Sequence, residues 1–196
     1  MPRPYRLGKR GDSRAETRDR IVAAALRLYR DVGVDGATVP AVARAADVAP
    51  GTVRNHFPGA TDLAEAVAEA ILTELWMPDA SIFAGASGPI ERVERLLVEI
   101  AAFFERATDW WAIRVADRSG GNAWAVPEAR YDERVTALIR VAVDPLDADP
   151  AVVAVVGAVL VHVYFAGRSA GLTSAAAVDV ERSLLVPWLE ARLSAS

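Results

Sequence analysis

The chain has no cysteine and only two histidines, His56 and His162, among its 196 residues. The lack of cysteine excludes disulfide bonds and cysteine-ligated zinc or iron–sulfur sites, and two histidines cannot form a histidine-rich metal site. We therefore expect a protein of a reducing compartment, the cytoplasm, without a bound metal or cofactor. The N-terminal residues are rich in arginine and contain no apolar run, so a secretory signal is not expected.

Motifs of catalysis are also missing. No serine stands in a recognisable nucleophile motif, no glycine-rich phosphate loop is present, and no acidic or histidine spacing is typical of a metal site. Asp117 and His162 suggest a base with an orienting partner by residue type alone. The sequence therefore predicts no catalytic residues and no enzymatic activity, with a helical small-molecule-binding enzyme as the alternative.

Charge is divided unevenly along the chain. Residues 1–60 contain 11 Lys and Arg against 6 Asp and Glu, whereas residues 61–196 contain 11 against 20, for a net charge of −4. A basic first part beside an acidic remainder is typical of a protein whose N-terminal domain binds nucleic acid. Residues 1–12 are predicted to be a flexible basic arm, either a solvated tail or an addition to phosphate and minor-groove affinity.

The segment from 38 to 57, TVPAVARAADVAPGTVRNHF, predicts two short helices joined by a tight turn. Asp47 falls in the turn, and Pro50 suits the first turn of the second helix. Val53 and Phe57 are four residues apart, so they share one face and can pack inward. This is the helix-turn-helix plan, in which the second helix enters the major groove of double-stranded DNA.

The remaining positions of the second helix are small, hydrogen-bonding or cationic, which suits contacts to base edges and phosphates. The residues predicted to contact bases or nearby phosphates are Pro50, Gly51, Thr52, Arg54 and Asn55. The residues predicted to bind phosphates are Thr38, Arg44 and His56.

From Thr17 to Leu72 the chain resembles the N-terminal domain of the tetracycline-repressor (TetR) family of bacterial regulators. The matching segments are TRDRIVAAALRLYRDVGVDGATV and AVARAADVAPGTVRNHFPGATDLAEAV. They follow the family order of a first helix, a glycine, a Thr-capped helix, a turn, a recognition helix ending in His-Phe, and a fourth helix. The chain departs from the family at Asp47, where glycine is common, and at Ala49, where a serine often caps the recognition helix.

Apolar periodicity along the whole chain predicts an all-α fold. It consists of an N-terminal three-helix helix-turn-helix DNA-binding domain, followed by a helical ligand-binding and dimerisation domain. The predicted limits are 13–76 for the DNA-binding domain with its linking fourth helix, and 77–196 for the second domain. The first helix is expected to begin near Ser13 and end at Gly33, and Pro187 predicts a kink or a break in the last helix.

Residues 150–167, PAVVAVVGAVLVHVYFAG, carry no formal charge. The run is short for a membrane span, which needs about 20 apolar residues, and too long for a typical strand. A helix buried on most sides is favoured, with no membrane partner. The resemblance implies a homodimer in which the last two long helices of each subunit form a four-helix bundle. The apolar residues of the last helix that are predicted to face a partner are Val178, Leu185, Trp188, Leu189 and Leu193.

Aromatic and polar residues of the second domain are candidates for a small-molecule site, since Trp and Tyr combine apolar area with a polar group. Each residue alone is equally compatible with ordinary core packing. Such a site favours an apolar or aromatic effector, and Arg114 would suit an anionic group or Asp117 a cationic one. The candidates are Phe103, Phe104, Trp110, Trp111, Arg114, Asp117, Trp124, Tyr131, His162 and Phe165.

Taken with the resemblance, these features predict a ligand-responsive transcriptional regulator, namely a repressor of a pseudo-palindromic operator. The dimer would bind half-sites roughly 34–36 Å apart in the free state. A small molecule in the second domain would move the fourth helix and release the DNA. A helical adaptor that binds only proteins is the remaining alternative, and it would not need a cationic and hydrogen-bonding face after a basic arm.

Overall fold

The computed structural model describes residues 8–59, 61–110 and 125–195. These ranges are helical and contain no strand, so the predicted all-α fold class is confirmed. The helices are α1 (Gly8–Gly36), α2 (Val39–Ala45), α3 (Pro50–His56), α4 (Asp62–Glu74), α5 (Pro89–Arg106), α6 (Ala125–Val143), α7 (Pro150–Ser169) and α8 (Ser174–Leu193).

Helix α1 is longer than the sequence predicts at both ends. It begins at Gly8, so residues 8–12 of the predicted arm are helical, whereas residues 1–7 lie outside the described ranges. At Gly33 the backbone leaves the helical region, with φ 75°, and a last turn continues to Gly36. The predicted end of the helix is therefore a kink, at a residue type that adopts positive φ without a steric penalty.

The turn between α2 and α3 is closed by backbone hydrogen bonds. Asp47 donates its N–H to the Arg44 carbonyl at 3.3 Å, and Val48 donates to the Ala43 carbonyl at 3.0 Å. This pair of bonds is the Schellman pattern, which satisfies carbonyls at the end of a helix. Its left-handed position is Asp47, with φ 54°. The residue that replaces the family's glycine thus adopts the conformation that glycine would adopt most easily.

Contacts divide the chain into two compact units. One consists of Met1–Thr73 with Trp110–Arg130, and the other of Glu74–Asp109 with Tyr131–Ser196. The first contains the helix-turn-helix, where Ile21, Ala24 and Ala25 of α1 are completely buried. This division is not continuous along the chain, and the predicted domain limits at residues 12 and 76 remain a prediction.

Helix α5 supplies much of the core of the second unit. Its apolar residues recur at helical spacing and are buried, and α8 packs against both α5 and α7. The buried residues of α5 are Val93, Leu96, Leu97, Ile100, Ala101, Phe103 and Phe104.

The charge-free run lies in α7, as predicted, and Asp149 caps the helix by accepting a hydrogen bond from the Ala151 N–H at 2.9 Å. Over 18 residues the mean hydropathy is 2.0, yet only 28% of that window is buried. By length and composition α7 could cross a membrane, a test that core helices of soluble proteins also pass. Burial on most sides is therefore not achieved within one chain, because one face of α7 has no neighbour among the described residues.

The exposed face of α7 is a continuous stripe at helical spacing, made of small or apolar residues and one histidine. Its members, which we call the α7 stripe, are Ala151, Ala154, Val155, Ala158, His162 and Ala166.

Helix α8 also differs from expectation. It continues through Pro187, so the predicted break is wrong. Proline removes the hydrogen bond to the carbonyl four residues earlier, at Ser183, and that residue is exposed, so water can satisfy the carbonyl. Val178, Leu185 and Leu189, expected to face a partner, are buried in the chain's own core.

The opposite side of α8 is exposed and mostly apolar. This α8 stripe recurs at helical spacing and consists of Val180, Leu184, Pro187 and Ala191. The last two helices therefore each have one side in the core and a second apolar side in solvent.

We expect the substitution Asp47→Gly to raise the free energy of unfolding by about 1 kcal/mol, because glycine adopts positive φ without the penalty of a Cβ. Asp47→Ala is the matched control, since it removes the same carboxylate and keeps the Cβ, and it should not stabilise the protein. Denaturant unfolding followed by circular dichroism measures both variants. Equal stability of the two variants would contradict a backbone origin of the effect.

Candidate nucleic-acid interface

The orientation of α3 is set by two buried side chains. Val53 is 1% exposed and Phe57 is 6% exposed. On α2, Val42, Ala43 and Ala46 are buried as well. Because Val53 and Phe57 lie on one side of α3, the other side of the helix is directed away from the core.

The predicted DNA-binding residues of α3 lie along that outer side. Pro50, Gly51, Arg54 and Asn55 are exposed, whereas Thr52 and His56 are half-buried. Arg44 on α2 and Thr38 before it are exposed too. The fold therefore brings these residues to the surface of one unit, and their contact with DNA remains a prediction.

Thr38 has a structural role that is compatible with phosphate binding. Its Oγ1 accepts a hydrogen bond from the Ala41 N–H at 3.4 Å and thereby caps α2. A hydroxyl that accepts one bond can still donate its hydrogen to another oxygen. Capping of α2 and donation to a DNA phosphate are therefore not exclusive.

Gly51 has no packing reason to be glycine. A Cβ built at this position meets no atom within 4 Å, and no positive φ is recorded there. Ala49, which precedes α3, makes no side-chain capping bond. The N-terminal end of α3 is thus open, which suits close approach of another molecule's backbone.

Arg18 is a surface cation that sequence reasoning did not single out. Its guanidinium carbon lies 5.0 Å from the centroid of the Phe57 ring, so α1 places a charge beside the end of α3. Arg18 lies outside the helix-turn-helix segment, and only the tertiary fold brings it to Phe57.

His56 has the least favourable surroundings for phosphate among the predicted residues. It lines a cavity of about 310 Å³ together with three carboxylates, which repel a phosphate. In the same cavity Arg130 Nη2 lies 3.1 Å from Glu65 Oε2, and Arg130 Nε lies 3.9 Å from Glu69 Oε1. The lining residues are Arg18, His56, Phe57, Asp62, Glu65, Ala66, Glu69 and Arg130.

The structure places the predicted ligand-binding residues in different environments. Trp110 is buried in the first unit, with the Arg30 guanidinium 4.8 Å from its ring centroid. His162 is exposed on the α7 stripe, so it is neither in the core nor beside the buried aromatic rings. Four candidates fall outside the described ranges, namely Trp111, Arg114, Asp117 and Trp124.

The remaining candidates meet in the second unit. Phe103 stacks on Tyr131 with ring centroids 5.6 Å apart and an interplanar angle of 18°. Phe104 lies 6.0 Å from Tyr131, 5.2 Å from Tyr164 and 4.8 Å from Phe165 by the same measure. We call these five residues the aromatic cluster. Its rings are joined by geometries that are typical of favourable aromatic pairs.

The two tyrosines of the aromatic cluster differ in hydrogen bonding. Tyr164 Oη lies 2.8 Å from Glu105 Oε1 and 2.9 Å from Ser174 Oγ. Tyr131 Oη is buried and has no hydrogen-bond partner. Because buried hydroxyls are normally paired, the Tyr131 hydroxyl is an exception that calls for an explanation.

Glu181 is a second buried polar group without a hydrogen-bond partner, and it was not identified from the sequence. It is 1% exposed, its Oε1 has no hydrogen-bond partner, and burial raises its pKa to about 8. The pKa of Tyr131 is raised by burial, by the charge of Asp132 and by the charge of Glu181. The signal was present in the sequence, since Glu181 lies three residues after Val178 and four before Leu185, inside an apolar stripe.

Comparison with protein families identifies the N-terminal region. Residues 21–67 match the model described as bacterial regulatory proteins, tetR family. The match spans most of α1, the whole helix-turn-helix and the first part of α4. A comparison with curated protein sequences found no significant match.

Three of the solved structures that are similar to the chain carry descriptions of different kinds. One, described as a TetR-family transcriptional regulator from Rhodococcus sp., is 22% identical, with 86% of this chain and 96% of that chain covered and a TM-score of 0.57. The multidrug binding protein EbrR, complexed with imidazole, is 22% identical, with 85% and 93% covered and a TM-score of 0.55.

The third, from Clostridium perfringens, is described as a fatty acid metabolism regulator. It is 15% identical, with 83% of this chain and 94% of that chain covered and a TM-score of 0.53. At these identities the likeness establishes a shared fold along most of each chain and does not establish a shared ligand.

The buried carboxyl of Glu181 should make stability depend on pH. Its pKa rises from 4.5 to about 8 on folding, so the folded state holds more protons between these values. The free energy of unfolding should therefore fall as pH rises through this window, by roughly 5 kcal/mol at most. The substitution Glu181→Gln should flatten this part of the profile.

Urea unfolding at a series of pH values measures the difference between wild type and Glu181→Gln. Glu190→Gln is the matched control, because Glu190 lies on the same helix and is exposed. Parallel pH profiles for wild type and Glu181→Gln would contradict a raised pKa at this position.

Proposed function

We propose that the chain is a transcriptional regulator of the TetR family, namely a ligand-responsive repressor that binds a pseudo-palindromic operator as a homodimer. The observation that carries the proposal is the outer side of α3, where Arg54 and Asn55 are exposed while Val53 and Phe57 are buried. A helix presented in this way can enter a major groove without disturbing its own packing. The site of action would be the cytoplasm.

In this proposal some of the exposed residues contact bases and others contact phosphates. Arg54 and Asn55 carry donors and acceptors that can pair with base edges, which specify sequence. Arg44 and Thr38 bind phosphates, which position the protein and make its affinity depend on salt. The acidic charge of residues 61–196 repels DNA and so limits non-specific coating.

The homodimer would bury the α7 stripe and the α8 stripe against the same stripes of a second copy. Leu184 is 53% exposed, Val180 40% and Val155 37%, although all three are apolar. Small residues on α7 allow helices to approach closely, and burial of such area drives association. Four helices, two from each copy, then form one bundle with two-fold symmetry.

Helix α6 is the element through which a bound ligand would affect DNA binding. It carries Tyr131, which stacks on Phe103, and directly before it Arg130, which binds Glu65 on α4. A ligand at the aromatic cluster that favours one position of α6 would bias α4, and with it the distance between the two recognition helices. The ligand acts only through its different affinity for the two positions. EbrR, which is similar in fold, is a multidrug binding protein whose structure was solved in complex with imidazole.

The DNA-binding proposal is tested with the variants Arg44→Ala and Asn55→Ala. Loss of the Arg44 charge should weaken binding to all DNA and reduce the slope of affinity against salt by about one. Loss of the Asn55 amide should cost about 1–3 kcal/mol on the preferred operator and relax sequence preference. Selection of bound sequences from random double-stranded DNA, followed by titration at several salt concentrations, measures both effects.

Arg140→Ala is the matched control for Arg44→Ala, since Arg140 is an exposed arginine on α6 in the second unit. It should bind operator as wild type does. If no palindrome were enriched at low salt, or if all three variants behaved alike, the proposed interface would be wrong.

The dimer proposal is tested with Leu184→Glu. A charge at the centre of the α8 stripe should dissociate the dimer, because two carboxylates would then be buried at the two-fold interface. Folding of the single chain should not suffer, since Leu184 is more than half exposed. Sedimentation velocity measures the mass, and operator affinity should fall with the loss of the dimer.

Val98→Glu is the control, because Val98 is 49% exposed on α5 and lies on neither stripe. It should remain dimeric. A monomeric wild-type protein at micromolar concentration, or a dimeric Leu184→Glu, would overturn the proposed interface.

A further inference from the structure

Three buried polar atoms of the second unit lack hydrogen-bond partners among the described residues, and one of them, Arg92 Nε, belongs to a side chain whose Nη2 donates to the Asp144 carbonyl. The other two are Glu181 Oε1 on α8 and Tyr131 Oη on α6. Ser174 Oγ lies 2.9 Å from Tyr164 Oη of the aromatic cluster, and Glu181 follows Ser174 by seven residues on the same face of α8. An unpaired buried polar group opposes folding, and an ionised one opposes it strongly. The Glu181 carboxyl is therefore not explained by the packing of the single chain.

The neighbourhood of these atoms favours positive charge. Tyr131 belongs to the aromatic cluster, whose ring faces attract cations, and Glu181 adds a carboxylate in a region of low dielectric constant. An anionic ligand would be repelled by Glu181 wherever the carboxyl is ionised. A neutral apolar ligand would leave the carboxyl unpaired, as it is in the free protein.

We infer that Glu181 is a binding residue of the effector site, and that the effector is an organic cation with an aromatic or apolar body. The aromatic cluster holds the body, and the Glu181 carboxylate pairs with the charge. This inference rests on the proposed function in one respect, that the second unit binds a small molecule.

Two carboxylates of α5, a helix that packs against α8, are already paired with arginines. Glu94 on α5 lies 3.2 Å from Arg182, and Glu105 on α5 lies 3.3 Å from Arg168 on α7. Neither acid is therefore a competing site for the cation. On α6, the pKa of Tyr131 is raised by burial, by the charge of Asp132 and by the charge of Glu181.

The site predicts a proton linkage. In the free protein the Glu181 pKa is about 8, so the carboxyl holds a proton near neutrality. A bound cation favours the ionised form, and the proton leaves to solvent. Cation affinity should therefore rise with pH up to about 8 and become level above it, with a slope of up to about tenfold per pH unit.

The experiment titrates purified protein, without DNA, with three cations of increasing size: benzyltrimethylammonium, N-methylquinolinium and tetraphenylphosphonium. Their charges do not depend on pH, so any pH dependence of affinity comes from the protein. Phenylacetate serves as the anionic comparison. Isothermal titration calorimetry in two buffers of different ionisation enthalpy gives the affinity and the number of protons released.

At least one of the three cations should bind the wild-type protein, with release of up to one proton below the Glu181 pKa. Glu181→Gln should weaken that binding by about tenfold or more above pH 8 and remove the pH dependence. Glu190→Gln, on the exposed side of α8, should behave as wild type. Tyr131→Phe should keep the pH dependence, because the carboxyl is intact.

Equal cation affinity of wild type and Glu181→Gln, equal binding of phenylacetate, or no binding of any of the three cations would overturn the inference. Thermal unfolding of each variant without ligand shows whether a lost affinity reflects lost folding. Operator binding is measured separately. Glu181-dependent cation binding without any effect on DNA would leave the site standing and refute ligand-responsive repression, whereas operator binding without cation binding would do the opposite.

Discussion

Burial of Val53 and Phe57 fixes the rotation of α3 about its own axis, and every residue of that helix that is proposed to contact DNA depends on this rotation. Two apolar side chains of this size contribute roughly 1.5–3 kcal/mol each when fully buried. A seven-residue helix has little stability of its own, so this packing also decides whether the helix forms. Arg54 and Asn55 are exposed as a geometric consequence, since they occupy the remaining side of a helix with 3.6 residues per turn.

The need to bury apolar surface also acts on the last two helices, but a single chain does not meet it there. In α3 one side is apolar and the other polar, so a single chain can bury the first and leave the second in solvent. In α7 and α8 both sides are largely apolar, and a single chain can bury only one of them. The side left in solvent carries Val155 on α7 and Leu184 on α8, and this exposed apolar area is the basis of the proposed association with a second copy.

This distinction also explains which features could be predicted from sequence. The helix-turn-helix was accessible because its signals are local: a capping Thr38, a proline in the first turn of each helix, and Val53 and Phe57 four residues apart. The side of α8 that faces the core could not be predicted from the sequence, because α8 has two apolar stripes. Only the positions of the neighbouring helices decide which stripe is buried. Continuation through Pro187 depends likewise on a water-accessible carbonyl at Ser183.

The role of Glu181 could not be predicted from the sequence for a further reason. Its position in an apolar stripe is visible in the sequence, but its lack of a partner depends on the helices that pack against α8, among them α5 and α7. The same helix places Glu181 in the core and Leu184 in solvent. Under the two proposals, a ligand that pairs with Glu181 would act on the helix that contacts the second subunit, and a small rotation of α8 would change the arrangement of the two copies. Effector charge and operator spacing would then be linked through one helix, in addition to the route through α6 and α4.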